Sequence, residues 1–149
     1  MANLTTSSKT QTEIWRYTED YAAYYYYSDT WKSRLLEELE QIPYTEEKIV
    51  FRNISTKRLP EEIQEGIWYP KGICSASRSK KIAIDFAEKK RCDSGWKQAI
   101  VCIWGRGRYI APYSAHPYEE EVLFKEGDKF KILYQGEWQG IEIYFAKQI

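Results

Sequence analysis

The sequence has little cysteine, almost no histidine and no long apolar run. Its three cysteines, Cys74, Cys92 and Cys102, are odd in number and form no close pair. That argues against a disulfide framework and for a reducing compartment. His116 is the single histidine. With three scattered cysteines and one histidine, a zinc site of standard spacing is excluded. A Ser-His-Asp mechanism would have to use His116, and no Gly-x-Ser-x-Gly elbow exists to serve it. No stretch approaches the ~18 apolar residues of a membrane span. Residues 1–10 lack the apolar run of a secretory signal. A cytoplasmic protein with no membrane association is expected. No internal repeat, low-complexity segment or domain linker breaks the chain.

What is present points to one folded domain. The 149 residues are 43% hydrophobic and 30% charged, with 6 Trp, 13 Tyr and 5 Phe. So dense an aromatic content excludes long-range disorder, and a chain of this length buries a real core. Net charge is zero but unevenly spread. Residues 1–48 carry a net of -4, residues 78–108 a net of +6 and residues 109–149 a net of -3. The basic block reads either as a solvated face or as a surface for phosphates or another acidic partner.

Periodicity predicts helices first and strands afterwards. Residues 1–11 are rich in Ser and Thr and read as a flexible tail, leaving 12–149 as the folded domain. Ile14, Tyr17, Tyr21 and Tyr24 or Tyr25 recur at helical spacing, with residues 24–27 as helix packing. Ser28 or Asp29 caps a second helix with Trp31, Leu35, Leu36 and Leu39 as its stripe and Pro43 beyond its end. Residues 48–54 (KIVFRNI) read as a strand, and 55–70 as a charged connection with a turn at Leu59-Pro60 and room for a short helix after it. Residues 72–77 form a short strand. Ser79 caps a helix with Ile82, Ala83, Phe86 and Ala87 on its apolar face, and residues 89–95 form a loop. Strands follow at 99–104, 108–111 and 121–124. Later strands alternate Phe130, Ile132, Tyr134 and then Ile141, Ile143, Phe145 on one face. The expected fold class is α+β, with N-terminal helices packed on a mainly antiparallel β core.

Three segments carry candidate chemistry. Arg52 ends an apolar strand, Ile49-Val50-Phe51-Arg52-Asn53. Ser75-Ala76-Ser77 precedes the helix holding Ala83, Phe86 and Ala87. Glu119-Glu120-Glu121 opens Val122-Leu123-Phe124. Taken separately, each is weak: a strand-end Arg is usually a surface ion pair, and a Glu triplet a solvated run. In order and spacing they resemble the mono-ADP-ribosyltransferase family of the Arg-Ser-Glu class. That family has an Arg on its first core strand, a Ser-Thr-Ser strand before a helix, and a Glu-x-Glu opening a later strand. The resemblance covers about residues 49–145, and residues 110–114 (IAPYS) look like the family's target-recognition loop. Two positions depart: Asn53 stands where the family usually has Gly, and Ala76 where it has Thr. Asn53 can supply the same backbone groups and tolerates unusual φ.

The resemblance implies a two-sheet fold and an enzyme that uses NAD as substrate and needs no metal. Breaking the glycosidic bond of NAD builds positive charge on the ribose, through a transition state like that of glycoside hydrolysis. Glu121 is assigned to that ribose and Glu119 to the incoming nucleophile. Arg52 offers a planar fork suited to phosphate, and Ser75 can hydrogen-bond Glu121, fixing its rotamer, or the ribose. Period-two geometry in an extended segment puts Glu119 and Glu121 on one face and turns Glu120 away. Arg91, in the family's phosphate and nicotinamide loop, is assigned to the NAD phosphates and Trp96 to the nicotinamide; loop surface and core aromatic are the alternatives. His116 is a target contact rather than a base.

In the family, Glu-x-Glu accompanies arginine acceptors, so Glu119 favours a protein arginine, with NAD hydrolysis as a side activity. A nucleic-acid acceptor and a non-catalytic NAD- or partner-binding module are the alternatives. The resemblance also implies a bacterial or phage toxin or effector, a host or competitor protein as target, and an immunity protein as partner.

Overall fold

The computed structural model describes residues 13–19 and 29–149. The expected tail at 1–11, the tyrosines from Tyr21 to Tyr27, the Ser28 cap and the Trp31 side chain lie outside the described residues. Residues 13–19 are helical (α1) and α2 spans Asp29–Glu40. Then come β1 (Lys48–Ser55), α3 (Leu59–Glu62), β2 (Ile63–Gln64), β3 (Ile67–Trp68), β4 (Cys74–Ser77) and α4 (Lys80–Ser94). β5 (Gln98–Gly105) and β6 (Arg108–Tyr109) lead to two 3-10 turns, Ala111–Tyr113 and Pro117–Glu119. β7 (Glu121–Phe124), β8 (Phe130–Trp138) and β9 (Ile141–Gln148) complete the chain.

Strand order is β2-β3-β8-β9-β5-β1-β4-β7-β6. Every pairing is antiparallel except β5 with β9. β1 and β4 share a single residue pair, Phe51↔Ser77. The sheet is thus two ladders, of six strands and of three, meeting at that pair. This is the α+β arrangement the sequence led us to expect, with helices gathered on an antiparallel core.

Three apolar clusters hold the ladders. Val50 and Ile54 of β1, Ala99, Val101 and Ile103 of β5, and Val122 and Phe124 of β7 meet in the main one. The opposite face of β5, Ile100 and Cys102, packs on Ala83 and Ala87 of α4. β5 is therefore buried on both faces, and its near-continuous apolar run follows from that position. The opposite face of β7, Leu123, joins Ile14 and Tyr17 of α1, Leu35 and Leu39 of α2, and Ile110. β7 thus lies between two cores, with Glu121 on the Leu123 side.

The structure changes four expectations. Residues 89–94 are helix, not loop: α4 runs to Ser94, and Gly95, at φ +76°, donates its N–H to the Arg91 carbonyl. Phe86 is 37% exposed. The buried face of α4 is the pair Ala83 and Ala87, whose small side chains let the helix lie close on β5. Within 55–70, the connection holds a hairpin of two-residue strands. Glu65 and Gly66, at φ +53° and +77°, form its turn in the mirror-image conformation that suits strand twist. In β8 a bulge separates Ile132, opposite Ala146, from Tyr134, opposite Phe145. The extra residue turns Tyr134 off the core face, and its ring lies 5.8 Å from that of Phe145.

Candidate active site

The site forms where the ladders meet. Ser79 caps α4, its hydroxyl accepting the Ile82 N–H, and so ends β4 just after Ser77. β4 pairs with β7 in a register that sets Ser77 opposite Glu121 and Ser75 opposite Leu123. Alternation along both strands puts Ser75, Ser77 and Glu121 on one face. Ser75 donates its hydroxyl hydrogen to Oε2 of Glu121 across 46 residues of sequence. Arg52 reaches from β1 and donates from Nη1 to the Ser75 carbonyl at 3.0 Å. The three residues expected to act together are thus linked by two hydrogen bonds.

The electrostatics of the group are unbalanced. Burial pushes the Glu121 carboxyl up to about 7. The Ser75 hydroxyl opposes that shift, the Glu119 charge adds to it, and the Arg52 guanidinium opposes it. Nε of Arg52 is buried and, among the described residues, has no hydrogen-bond partner. A half-buried guanidinium with one donor unmade suits an anionic ligand, because an unmade bond away from water is costly.

Glu119 arrives differently from the expectation. The segment is not extended. Glu119 ends a 3-10 turn, and Glu120 takes the left-handed conformation at φ +48° before β7 begins at Glu121. The turn is tied to β4: the Ser77 hydroxyl donates to the Glu119 carbonyl at 2.6 Å, and the Arg78 N–H to the Glu120 carbonyl at 3.0 Å. Burial raises the Glu119 carboxyl and the nearby His116 lowers it. Its charge is felt at Glu121. The two carboxylates are neighbours because of a turn, not because of strand alternation. Ser77 and Arg78 as ties of that turn were not foreseen. The hydroxyl at the end of Ser-x-Ser was the available signal for the first.

Of the remaining candidates, Asn53 follows Arg52 on β1 and His116 lies one turn before Glu119, whereas Arg91 stands at the opposite end of α4 from the Ser79 cap. Asn53 is half-buried on β1 opposite Ile100. Arg91 is exposed in the last turn of α4 and paired with Glu88 at 3.1 Å. Trp96 is half exposed, with the Lys57 ammonium 4.5 Å from its ring centre. His116 precedes the second 3-10 turn and meets the Tyr118 ring edge-on at 5.8 Å. Among the described residues, no three His, Cys, Asp or Glu gather as a metal site requires, and no helix is long and apolar enough to cross a membrane. An apolar cavity of about 300 Å³ lies beside α4, lined by Phe51, Ile100, Cys102, Trp138 and Phe145 among others. A second, of about 530 Å³, lies between α2 and β7. Glu121 lines neither.

No protein-family model matches the sequence, and no curated protein matches it. Solved structures do resemble it. The type III effector XopAI from Xanthomonas axonopodis pv. citri is 18% identical with a TM-score of 0.67, over 94% of this chain and 66% of that one. The chain therefore spans a little under two thirds of that structure. The Vis toxin, an ADP-ribosyltransferase from Vibrio splendidus, is 14% identical with a TM-score of 0.65, over 94% and 72%. Vis has also been solved with agmatine. Exoenzyme S from Pseudomonas aeruginosa, in complex with human 14-3-3 protein beta and bound to carba-NAD, is 15% identical with a TM-score of 0.70, over 94% and 73%. At these identities the likeness is one of backbone, and the chain has the fold of the bacterial ADP-ribosyltransferase toxins.

Proposed function

We propose that the protein transfers ADP-ribose from NAD to a macromolecule, with a protein arginine as acceptor, releasing nicotinamide. One observation carries this reading: the Glu121 carboxylate, held by Ser75, shares its site with a half-buried Arg52 whose Nε has no partner among the described residues. A fixed carboxylate is what a developing ribosyl cation needs, and a free guanidinium donor is what the NAD phosphates need. Asn53, by its backbone, and Arg91 border the same substrate, with Trp96 toward the nicotinamide and His116 toward the target. Glu119 receives the acceptor guanidinium. Arginine side chains stay protonated at neutral pH, so their attack needs help in losing a proton. The agmatine complex of Vis, a protein of the same fold, supports a guanidinium acceptor. A toxin or effector acting on a protein in the cytoplasm of the cell it reaches fits the same neighbours, and an immunity partner fits such a role.

Three variants test the assignment, read by nicotinamide release and by label transferred to protein and to agmatine. Glu121→Gln should lower both activities about 10²- to 10³-fold, the usual effect of removing a preorganised electrostatic group. Glu119→Gln should abolish transfer and leave NAD hydrolysis, because water needs no acidic clamp. Glu120→Gln should be nearly silent. Wild-type rates in Glu121→Gln would end the reading. Full agmatine modification by Glu119→Gln would remove the arginine acceptor and move the test to RNA and DNA, for which the exposed Lys89 and Lys90 of α4 offer a basic surface.

A further inference from the structure

We infer that Thr18 on α1 is a positioning residue for the acceptor side of the site, an inference that rests on the transfer reading above. The loop between β6 and β7, residues 110–118, runs directly into Glu119. Its start is apolar and packed: Ile110 is fully buried with Ile14 and Tyr17 of α1, and Tyr113 packs on the same cluster. Its middle is polar and needs another anchor. The Ala115 N–H donates to Oγ1 of Thr18 at 2.9 Å, across 97 residues of sequence. The Thr18 hydroxyl in turn donates back along its own helix, lying 3.1 Å from the Ile14 carbonyl and 2.9 Å from that of Trp15. Both roles of the hydroxyl are used, and its orientation is set by the helix.

From Ala115 the hold passes down the loop. The Ser114 hydroxyl accepts the His116 N–H at 2.9 Å, and the Glu119 N–H donates to the His116 carbonyl at 3.0 Å. Glu119 is thus held from two sides, by Ser77 of β4 on its carbonyl and through the loop by α1. Glu121 takes its place from β7 and Ser75, and the hydrogen bonds of Thr18 go to Ile14, Trp15 and Ala115 instead. Loss of the Thr18 hydroxyl should therefore disturb the acceptor carboxylate and leave the NAD carboxylate alone.

Thr18→Val keeps the shape and removes the acceptor oxygen; Thr18→Ser keeps the oxygen. Thr18→Val should raise KM for agmatine roughly three- to tenfold, the worth of one hydrogen bond. The rate of NAD hydrolysis should hold, and Thr18→Ser should restore the acceptor KM. Hydrogen exchange at the Ala115 amide should quicken in Thr18→Val and not in Thr18→Ser, whether or not the enzyme turns over. An unchanged agmatine KM in Thr18→Val would overturn the inference, as would an equal fall in hydrolysis and transfer. A wild-type protein that transfers nothing would overturn the functional reading and with it the acceptor role of Thr18. Unchanged exchange at Ala115 would remove the tie itself and leave the functional reading standing.

Discussion

At the scale of residues, Glu121 carries opposite demands. The proposed transfer needs its carboxylate charged, and burial raises its pKa to about 7. The rate of transfer should therefore rise as pH passes through about 7 and level off above it, which a pH profile at saturating NAD checks. Stability runs the other way. A carboxyl with a folded pKa above its unfolded value binds its proton more tightly when folded. Its contribution is complete below about 4.5 and is lost as pH rises toward 7. The full loss is roughly 3 kcal/mol. Glu121→Gln should thus be nearly inactive yet melt higher than wild type at pH 8, the difference shrinking toward pH 5. A lower melting temperature at pH 8 would contradict the burial of this charge. Arg52 makes a different demand, for geometry. Arg52→Lys keeps the charge and loses the fork, so NAD should bind more weakly while circular dichroism stays native. Calorimetry showing unchanged affinity would take Arg52 out of the site.

At the scale of elements, the seam between α1 and α2 is where charge opposes packing. Glu38 of α2 is buried beside Glu13 of α1 and accepts the Glu13 N–H at 3.3 Å. Burial first, and then the Glu13 charge, raise its carboxyl to about 7, with Arg16 opposing. Oε2 of Glu13 is buried and, among the described residues, has no hydrogen-bond partner. The seam should therefore weaken as pH rises through 7. Glu38→Gln keeps an oxygen for the Glu13 N–H and removes the charge, so it should raise the melting temperature at pH 8 more than at pH 5. Thermal unfolding at the two values decides it, and an equal effect at both would show that the charge is not what strains the seam. The α4 boundary makes a separate point. The helix buries only Ala83 and Ala87, so residues 88–94 carry polar side chains with no apolar period to mark them as helix. Lys, Arg and Glu are nevertheless good helix formers, and Gly95 supplies the stop. The missed hairpin at residues 63–68 has two-residue strands, too short to show an alternation.

At the scale of the whole molecule, the site sits on a joint. The two ladders share one pair of residues, Phe51↔Ser77, with Arg52 on one side and Ser75 and Glu121 on the other. A ligand that engages both sides stabilises the junction as well as occupying the site. NAD at a hundredfold excess over its Kd should add about 2.7 kcal/mol to stability. For a chain of this size that is roughly 5–10 °C in melting temperature. Thermal unfolding with and without NAD measures it, and no shift at millimolar NAD would count against binding at this joint.

Some of this was determined by sequence alone. Ser75 and Ser77, two apart on a strand, share a face because the backbone alternates with period two, and the Ser79 cap follows from its place before a helix. The apolar run of residues 99–104 marks a central strand, and the order of Arg52, Ser75 and Glu121 pointed to the fold. Tertiary structure decided what touches. Ser75 meets Glu121 only through the β4–β7 register, and register is set by burying Cys74, Ala76, Val122 and Phe124 together in one core. Glu119 reaches Glu121 through a 3-10 turn and a left-handed Glu120, a conformation that the Glu triplet does not announce. Ser77 at the end of β4 and Arg78 just beyond it hold that turn. Thr18 lies 97 residues from the amide it holds, and no local pattern encodes a hydrogen bond that exists only once two cores have packed on either side of β7.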